Sequence, residues 1–106
     1  MAEKVVKLGR LYEAHGTTFD EVALRPPLLK DHFAIGEPVE MHRGPDGEGS
    51  FVIEHLDRVE AYRDRLIVRP GLEMIQSLDL ADSIAVKDAI IGFFLEAHAL
   101  RSKPTS

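Results

Sequence analysis

Apolar and polar positions alternate loosely through the first quarter of the chain, on both sides of a short turn sequence. The turn is His15-Gly16-Thr17, where the glycine supplies the positive φ that a tight turn needs. The apolar positions around it are Val5, Val6, Leu8, Leu11, Tyr12, Phe19, Val22 and Leu24. We therefore predict an antiparallel β-hairpin from about residue 4 to residue 25, and the alternative is a helical turn over residues 8–14.

A rigid corner follows the hairpin at Arg25, Pro26 and Pro27. Proline cannot donate a hydrogen bond to a sheet, and the residue before it prefers extended geometry, so Arg25 is predicted to end the strand. Pro27 is predicted to lie in the first turn of a helix. The apolar residues that come next suit a short helix over residues 27–35, which ends at Gly36.

Residues 37–49 are rich in glycine and proline and show little hydrophobic periodicity. We predict that they form an exposed, mobile loop. Ser50 is then a candidate N-cap for a helix over residues 51–66, because apolar residues recur there at spacings of three and four. These apolar-face residues are Val52, His55, Leu56, Val59 and Tyr62.

A short helix is predicted over residues 72–78, and a longer helix after it. The inward-facing residues of the short helix are Leu72, Ile75 and Leu78. Asp79 or Asp82 is predicted to cap the long helix, which runs to about His98. Residues 101–106 are predicted to be a frayed tail.

Apolar residues nearly encircle the long C-terminal helix. One side carries Ile84, Ile91 and Leu95, and the other carries Val86, Ile90, Phe93, Phe94 and Ala97. A helix this apolar is either central to the core or keeps one face for a partner. We predict that partner contacts lie on the side of Ile91 and Leu95, with His98 beside them.

These elements together predict one α+β domain over residues 1–100, in which the N-terminal antiparallel hairpin packs against three to four α-helices. A chain of 106 residues suits a single domain with one modest core. The net charge is −5 and no long basic cluster occurs, so a nucleic-acid-binding surface is not expected. The chain has no signal-peptide core and no apolar stretch long enough for a bilayer, so we expect a cytoplasmic location without membrane association.

The residue types that carry chemistry form no recognised catalytic or metal-binding motif. The chain has no cysteine, and its histidines lack the spacing of a zinc site; they are His15, His32, His42, His55 and His98. We therefore expect no metal, no cofactor and no enzymatic activity. A small hydrolase or lyase would require two histidines, or a histidine and an acid, to converge in a pocket.

Arg25 is the charged residue with the most specific expectation. At the end of the predicted strand it can hold the carboxylate of Glu21 or Asp31 in bidentate geometry, which is a structural role. The alternative is that Arg25 is presented to a ligand.

Two segments of the chain resemble a known family. In the first, residues 21–25, with the sequence EVALR, are followed by Pro27 and Asp31. The residues of the second are Leu78, Asp79, Asp82, Val86, Ile90, Ile91, Gly92 and Phe93. Both segments resemble the tail assembly chaperones of Mu-like and related contractile-tailed phages.

The resemblance implies a non-enzymatic helper, encoded by a phage or prophage, that works in the cytoplasm of the bacterial host. It implies binding to the long tape measure protein before the tail tube polymerises, with many copies on one partner. Structural roles are expected for Arg25, Pro27, Asp31, Asp79 and Asp82. The alternative function is a generic peptide-binding or antitoxin-like regulatory module without catalytic activity.

Overall fold

The computed structural model describes residues 2–45, 47 and 49–102, and within them the chain is mixed α+β, as predicted. The elements in chain order are β1 (Lys4–Ala14), β2 (Thr17–Leu24), α1 (Leu29–Ile35), β3 (Val39–Arg43), β4 (Ser50–Glu54), α2 (Leu56–Leu66), β5 (Ile67–Arg69), a 3₁₀ turn (Leu72–Met74) and α3 (Leu80–Ser102).

β1 and β2 form the predicted antiparallel hairpin, so the helical alternative for residues 8–14 is wrong. The two loop residues, His15 and Gly16, have φ angles of 51° and 76°. Positive φ at both loop positions is what a type I′ turn requires. β5 pairs with the other side of β2 and extends the hairpin to a three-stranded antiparallel sheet, in the order β1-β2-β5.

α1 begins at Leu29, so the prediction that Pro27 lies in the first helical turn is wrong. Leu28 is the N-cap residue, and its backbone N–H donates to the Asp31 carboxylate over 2.8 Å. That bond satisfies a donor at the helix end and places the helix start after the prolines. Gly36, with a φ of 92°, ends the helix as predicted.

β3 lies inside residues 37–49, so the assignment of that whole segment to a loop is wrong. β3 pairs antiparallel with β4 in a separate two-stranded sheet. Only the first residue of β3, Val39, is buried, and a strand with one buried position leaves no alternating hydrophobic pattern to detect. The mobility predicted for residues 37–49 stays a prediction.

α2 begins at Leu56 and not at residue 51, because the preceding residues belong to β4. The three central residues of β4 all favour strands; they are Phe51, Val52 and Ile53. Ser50 is the first residue of β4, so it does not cap the helix, and His55 stands at the N-cap position with extended backbone. α2 ends at Leu66, as predicted, and the chain passes directly into β5.

In the last third of the chain, the short helix is shorter than predicted and the long helix is longer. Only Leu72–Met74 form a 3₁₀ turn, although the side chains of Leu72, Ile75 and Leu78 pack on the core. α3 continues to Ser102, so Arg101 is helical and not part of a frayed tail. Residues 103–106 lie outside the described residues.

The core lies between the three-stranded sheet, α2 and α3. Its largest fully buried apolar side chains are Tyr62, Phe93, Leu24, Leu66, Ile90 and Val22. Among the residues described, none of the helices combines the length and apolarity that crossing a bilayer would take. The end of α3 borders both the short helix α1 and strand β3.

Candidate partner-binding surface

The structure divides the three residues predicted to contact a partner. Leu95 is 40% exposed and His98 is exposed, but Ile91 is only 6% exposed and belongs to the buried core. The prediction that Ile91 lies on a free face is therefore wrong. α3 packs against both β1 and α2, so its middle part has little free side, whereas its last turns extend past these contacts.

An apolar groove runs between the start of α1 and the end of α3, with a volume of about 350 Å³. This α1–α3 groove is lined by Pro27, Leu28, Leu29, His32, Glu37, Phe93, Phe94, Ala97, His98 and Arg101. Two of its leucines, Leu28 and Leu29, are more than half exposed. Phe33, on α1 nearby, is 78% exposed, so the apolar surface extends beyond the groove itself.

An ion pair at the start of α1 fixes the wall of this groove. Arg25 donates through Nη1 and Nη2 to the two carboxylate oxygens of Asp31, over 2.9 and 3.2 Å. Arg65 of α2 donates to the same carboxylate over 3.4 Å. Of the two carboxylates considered for Arg25, the structure thus pairs it with Asp31, which has no exposed surface. This pairing holds Leu28 and Leu29 opposite the end of α3.

A second groove of about 440 Å³ lies between β3 and α3. This β3–α3 groove is lined by Glu37, Val39, Glu40, Met41, His42, Leu95 and His98. It brings exposed Met41 of the sheet close to the predicted contact residue Leu95. Both grooves therefore share the end of α3, and Glu37 and His98 stand between them.

Two histidines converge on Glu37. His32 and His98 place their Nε2 atoms 2.5 and 2.6 Å from different carboxylate oxygens of Glu37. Burial alone would raise the pKa of Glu37, but its hydrogen bonds with His98 and His32 outweigh burial and lower that pKa. The arrangement joins α1 to α3 across the chain segment that follows Gly36.

A similar cluster surrounds Glu40 on β3. His55 and His42 both contact its carboxylate, and hydrogen bonding to His55 is the main reason that the pKa of Glu40 is lowered. His42 also stacks on Phe51 across the two strands, with ring centroids 5.5 Å apart. Four of the five histidines thus bond to glutamates, a pairing that their spacing in the sequence does not indicate.

The Glu37 cluster meets the condition set for a hydrolase or lyase, since histidines and an acid converge beside a pocket. A histidine–carboxylate pair can accept and release a proton. The residues that line the α1–α3 groove, however, include no hydroxyl, thiol or amine nucleophile. In the part of the chain that the structure covers, no three His, Cys, Asp or Glu side chains are arranged to hold a metal ion.

Asp79 and Asp82 connect α3 to β1. Asp82, which is buried, accepts hydrogen bonds from the Gly9 N–H and the Tyr12 hydroxyl. Asp79 accepts a bond of 2.9 Å from Arg10. Both carboxylates therefore bind the neighbouring strand. Asp79 also stands directly before Leu80, the first residue of α3, and its carbonyl accepts the Ser83 N–H over 2.8 Å. Of the two residues considered, Asp79 thus occupies the N-cap position, as predicted.

The contribution of α1 to the apolar surface was not predicted from the sequence. A helix of seven residues cannot bury apolar residues on all sides, so the composition of α1 was a usable signal. Glu37 was also missed, and no local signal could have found it, because His98 lies sixty-one residues further along the chain.

In comparisons with known proteins, no protein-family model, no curated protein and no solved structure matches this chain.

Proposed function

We propose that this chain is a non-catalytic tail assembly chaperone of a phage or prophage, which binds apolar helical segments of the tape measure protein. The observation that carries the proposal is spatial. The two segments that resemble the chaperone family lie far apart in the sequence, yet one residue of each, Pro27 and Phe93, lines the α1–α3 groove. Arg25 and Asp31 of the first segment fix the start of α1, and Phe93 of the second lines the facing wall.

The chemistry of this groove suits one face of an amphipathic helix. Its walls are leucine, proline and phenylalanine side chains, and polar groups are confined to His32, Glu37, His98 and Arg101. A helix that binds in such a groove inserts apolar side chains spaced by three and four residues. A tape measure protein is a long helical rod whose apolar faces need cover before assembly, so it supplies many such segments.

The charge of the chain agrees with a covering role. A net charge of −5 favours solubility and opposes the non-specific aggregation that exposed apolar residues promote. Several copies on one rod would give the whole complex a soluble, acidic surface. This supports the multiple-copy arrangement as part of the proposal.

Two other functions would use the same surface in different ways. A generic peptide-binding or antitoxin-like module would use the grooves without preferring tape measure segments. A hydrolase or lyase would use the Glu37 cluster as a proton relay, with water or a substrate group as the nucleophile, since the groove lining supplies no hydroxyl, thiol or amine. We favour the binding function because exposed apolar surface adjoins both grooves.

The test measures binding of tape measure fragments, from the same phage or prophage, to variants that place a charge on each groove. Leu29→Asp alters the α1–α3 groove, and Leu95→Asp alters the β3–α3 groove. We expect Leu29→Asp to weaken binding at least tenfold, because an aspartate in the apolar contact must lose its hydration on binding. Leu95→Asp should weaken binding too if the partner helix spans both grooves.

Ile84→Asp is the matched control, because Ile84 lies on α3, is 43% exposed and lines neither groove. It should bind like the unaltered protein. If Ile84→Asp weakens binding as much as Leu29→Asp does, the groove is not the site. If no tape measure fragment binds, the proposed function is wrong, and equal binding of unrelated amphipathic helices would favour the generic peptide-binding module.

A further inference from the structure

β4 is a free sheet edge made of exposed apolar residues. All five of its residues are exposed, and three in succession are large and apolar: Phe51, Val52 and Ile53. In the described part of the chain, β3 is the one other strand of this sheet, so the edge of β4 that faces away from β3 has no strand beside it. An isolated two-stranded sheet is marginally stable, and an open apolar edge is a template for another strand.

The hydrogen bonds of the β3-β4 sheet determine which backbone groups point outwards. The His55 N–H donates to the Pro38 carbonyl over 2.9 Å, and the Gly44 N–H donates to the Gly49 carbonyl over 3.2 Å. Hydrogen-bonded and non-hydrogen-bonded pairs alternate along an antiparallel ladder. With the observed register, the N–H and C=O groups of residues 51 and 53 point towards β3, and those of residues 50, 52 and 54 point away.

We propose that β4 pairs antiparallel with β4 of a second copy of this chain, about a two-fold axis at Val52. The outward backbone groups of residues 50, 52 and 54 are then matched with those of residues 54, 52 and 50 in the second copy. The result is a continuous four-stranded sheet in the order β3-β4-β4-β3. A two-fold interface must be self-complementary in this way.

The side chains of β4 are compatible with that register. Phe51 stands opposite Ile53 of the second copy, an aromatic and β-branched pair of the kind that stabilises antiparallel sheets. Glu54 stands opposite Ser50, so no two like charges face each other directly. β3 is less suited to the same pairing, because Val39 at its start is already buried.

A pair of proline substitutions tests the proposal on the full chain. Val52→Pro removes an N–H that points away from β3, so the β3-β4 sheet keeps its own hydrogen bonds. The proposed contact between two copies loses the hydrogen bonds of its central Val52–Val52 pair. Met41→Pro is the matched control, because Met41 lies opposite Val52 in the register and its N–H points to the other edge. Sedimentation equilibrium over a range of protein concentrations measures the mass of the unaltered protein and of each variant.

The mass of the unaltered protein and of Met41→Pro should rise with concentration towards twice 11.8 kDa. Val52→Pro should remain at 11.8 kDa, with a dimer dissociation constant raised at least tenfold. A monomer at every concentration, or a dimer that Val52→Pro leaves intact, would overturn the proposal. No tape measure protein is present in this experiment, so its outcome is independent of the proposed function.

Cysteine substitution gives a second readout that does not depend on how Val52→Pro folds. The chain has no cysteine, so a disulfide in a single-cysteine variant can only join two copies. Residues facing each other in a hydrogen-bonded antiparallel pair have Cα atoms about 5.5 Å apart, within the range of about 4.4–6.8 Å that a disulfide spans. Val52→Cys should therefore form a linked dimer on mild oxidation, and Met41→Cys should not. Equal linkage of the two variants would contradict the two-fold axis at Val52.

Discussion

At the scale of single residues, Asp31 shows how a charge is tolerated in the interior. Its carboxylate has no exposed surface, yet it accepts bonds from Arg25, Arg65 and the Leu28 N–H. The hydrogen bond from Arg25 is the main reason that the pKa of Asp31 lies well below its usual range, against the effect of burial. A buried carboxylate bonded in this way stabilises the fold only while it is ionised.

Asp31→Asn should therefore destabilise the protein by about 3 kcal/mol at neutral pH, because it leaves two arginines without their buried partner. The folded-state pKa lies below the unfolded one, so the contribution is complete above the unfolded value, about 4, and is lost as pH falls below it. The difference in free energy of unfolding between the two proteins should thus shrink below about pH 4.

Chemical denaturation at several pH values measures this difference. Asp64→Asn is the control, since the Asp64–Arg63 pair is exposed and should contribute less than about 1 kcal/mol. A difference that does not depend on pH would contradict the role given to the ionised Asp31.

At the scale of elements, a buried polar contact joins α3 to β1. The Tyr12 hydroxyl donates to Asp82 and accepts the Asp79 N–H over 3.1 Å. Burial is the main reason that the pKa of Tyr12 is raised, and the hydrogen bond to Asp82 raises it further. Because Asp82 lies in the first turn of α3, this contact sets where the helix begins against the strand.

Tyr12→Phe should lower the free energy of unfolding by about 2 kcal/mol, since a hydrogen bond to a charged acceptor contributes about 1.5–3 kcal/mol. Tyr62→Phe is the matched control: the Tyr62 hydroxyl donates to the neutral Gly36 carbonyl over 2.7 Å, and its loss should cost about 1 kcal/mol. Amide exchange at Gly9 should quicken in Tyr12→Phe alone. If Tyr62→Phe lowers the free energy of unfolding as much as Tyr12→Phe does, the hydrogen bond to Asp82 is no stronger than a bond to a neutral carbonyl.

At the scale of the whole molecule, the core takes up most of α3 and leaves only part of its surface free. Ile91 and Leu95 lie one turn apart on the same side of the helix, yet Ile91 is buried and Leu95 is exposed. The contacts of α3 with β1 and α2 account for this difference.

Ile91→Asp should destabilise the protein by at least about 4 kcal/mol, because it puts an unpaired charge into the core. Leu95→Asp should cost less than about 1 kcal/mol, since the new charge remains in water. Thermal melting of the two variants, followed by circular dichroism, compares them directly. Similar melting temperatures would mean that the boundary of the core does not lie between these residues.

The sequence by itself determined the elements whose signals are local. The turn at His15 and Gly16 joins two alternating segments, so the N-terminal hairpin was predictable from positive φ and period-two patterning. Gly36 ends α1 and α2 ends at Leu66, where the predictions placed them. The α+β class follows from these elements.

Only the tertiary structure decided which apolar residues remain exposed and which polar groups meet. β3 has one buried residue and β5 has three residues in all, too few for a periodic pattern, so both strands depend on pairing partners elsewhere in the chain. The burial of Ile91 and the meeting of His98 with Glu37 depend on how α3 packs against the other elements. Local spacing specifies the face of a helix on which a residue lies, but what covers that face is fixed by long-range packing.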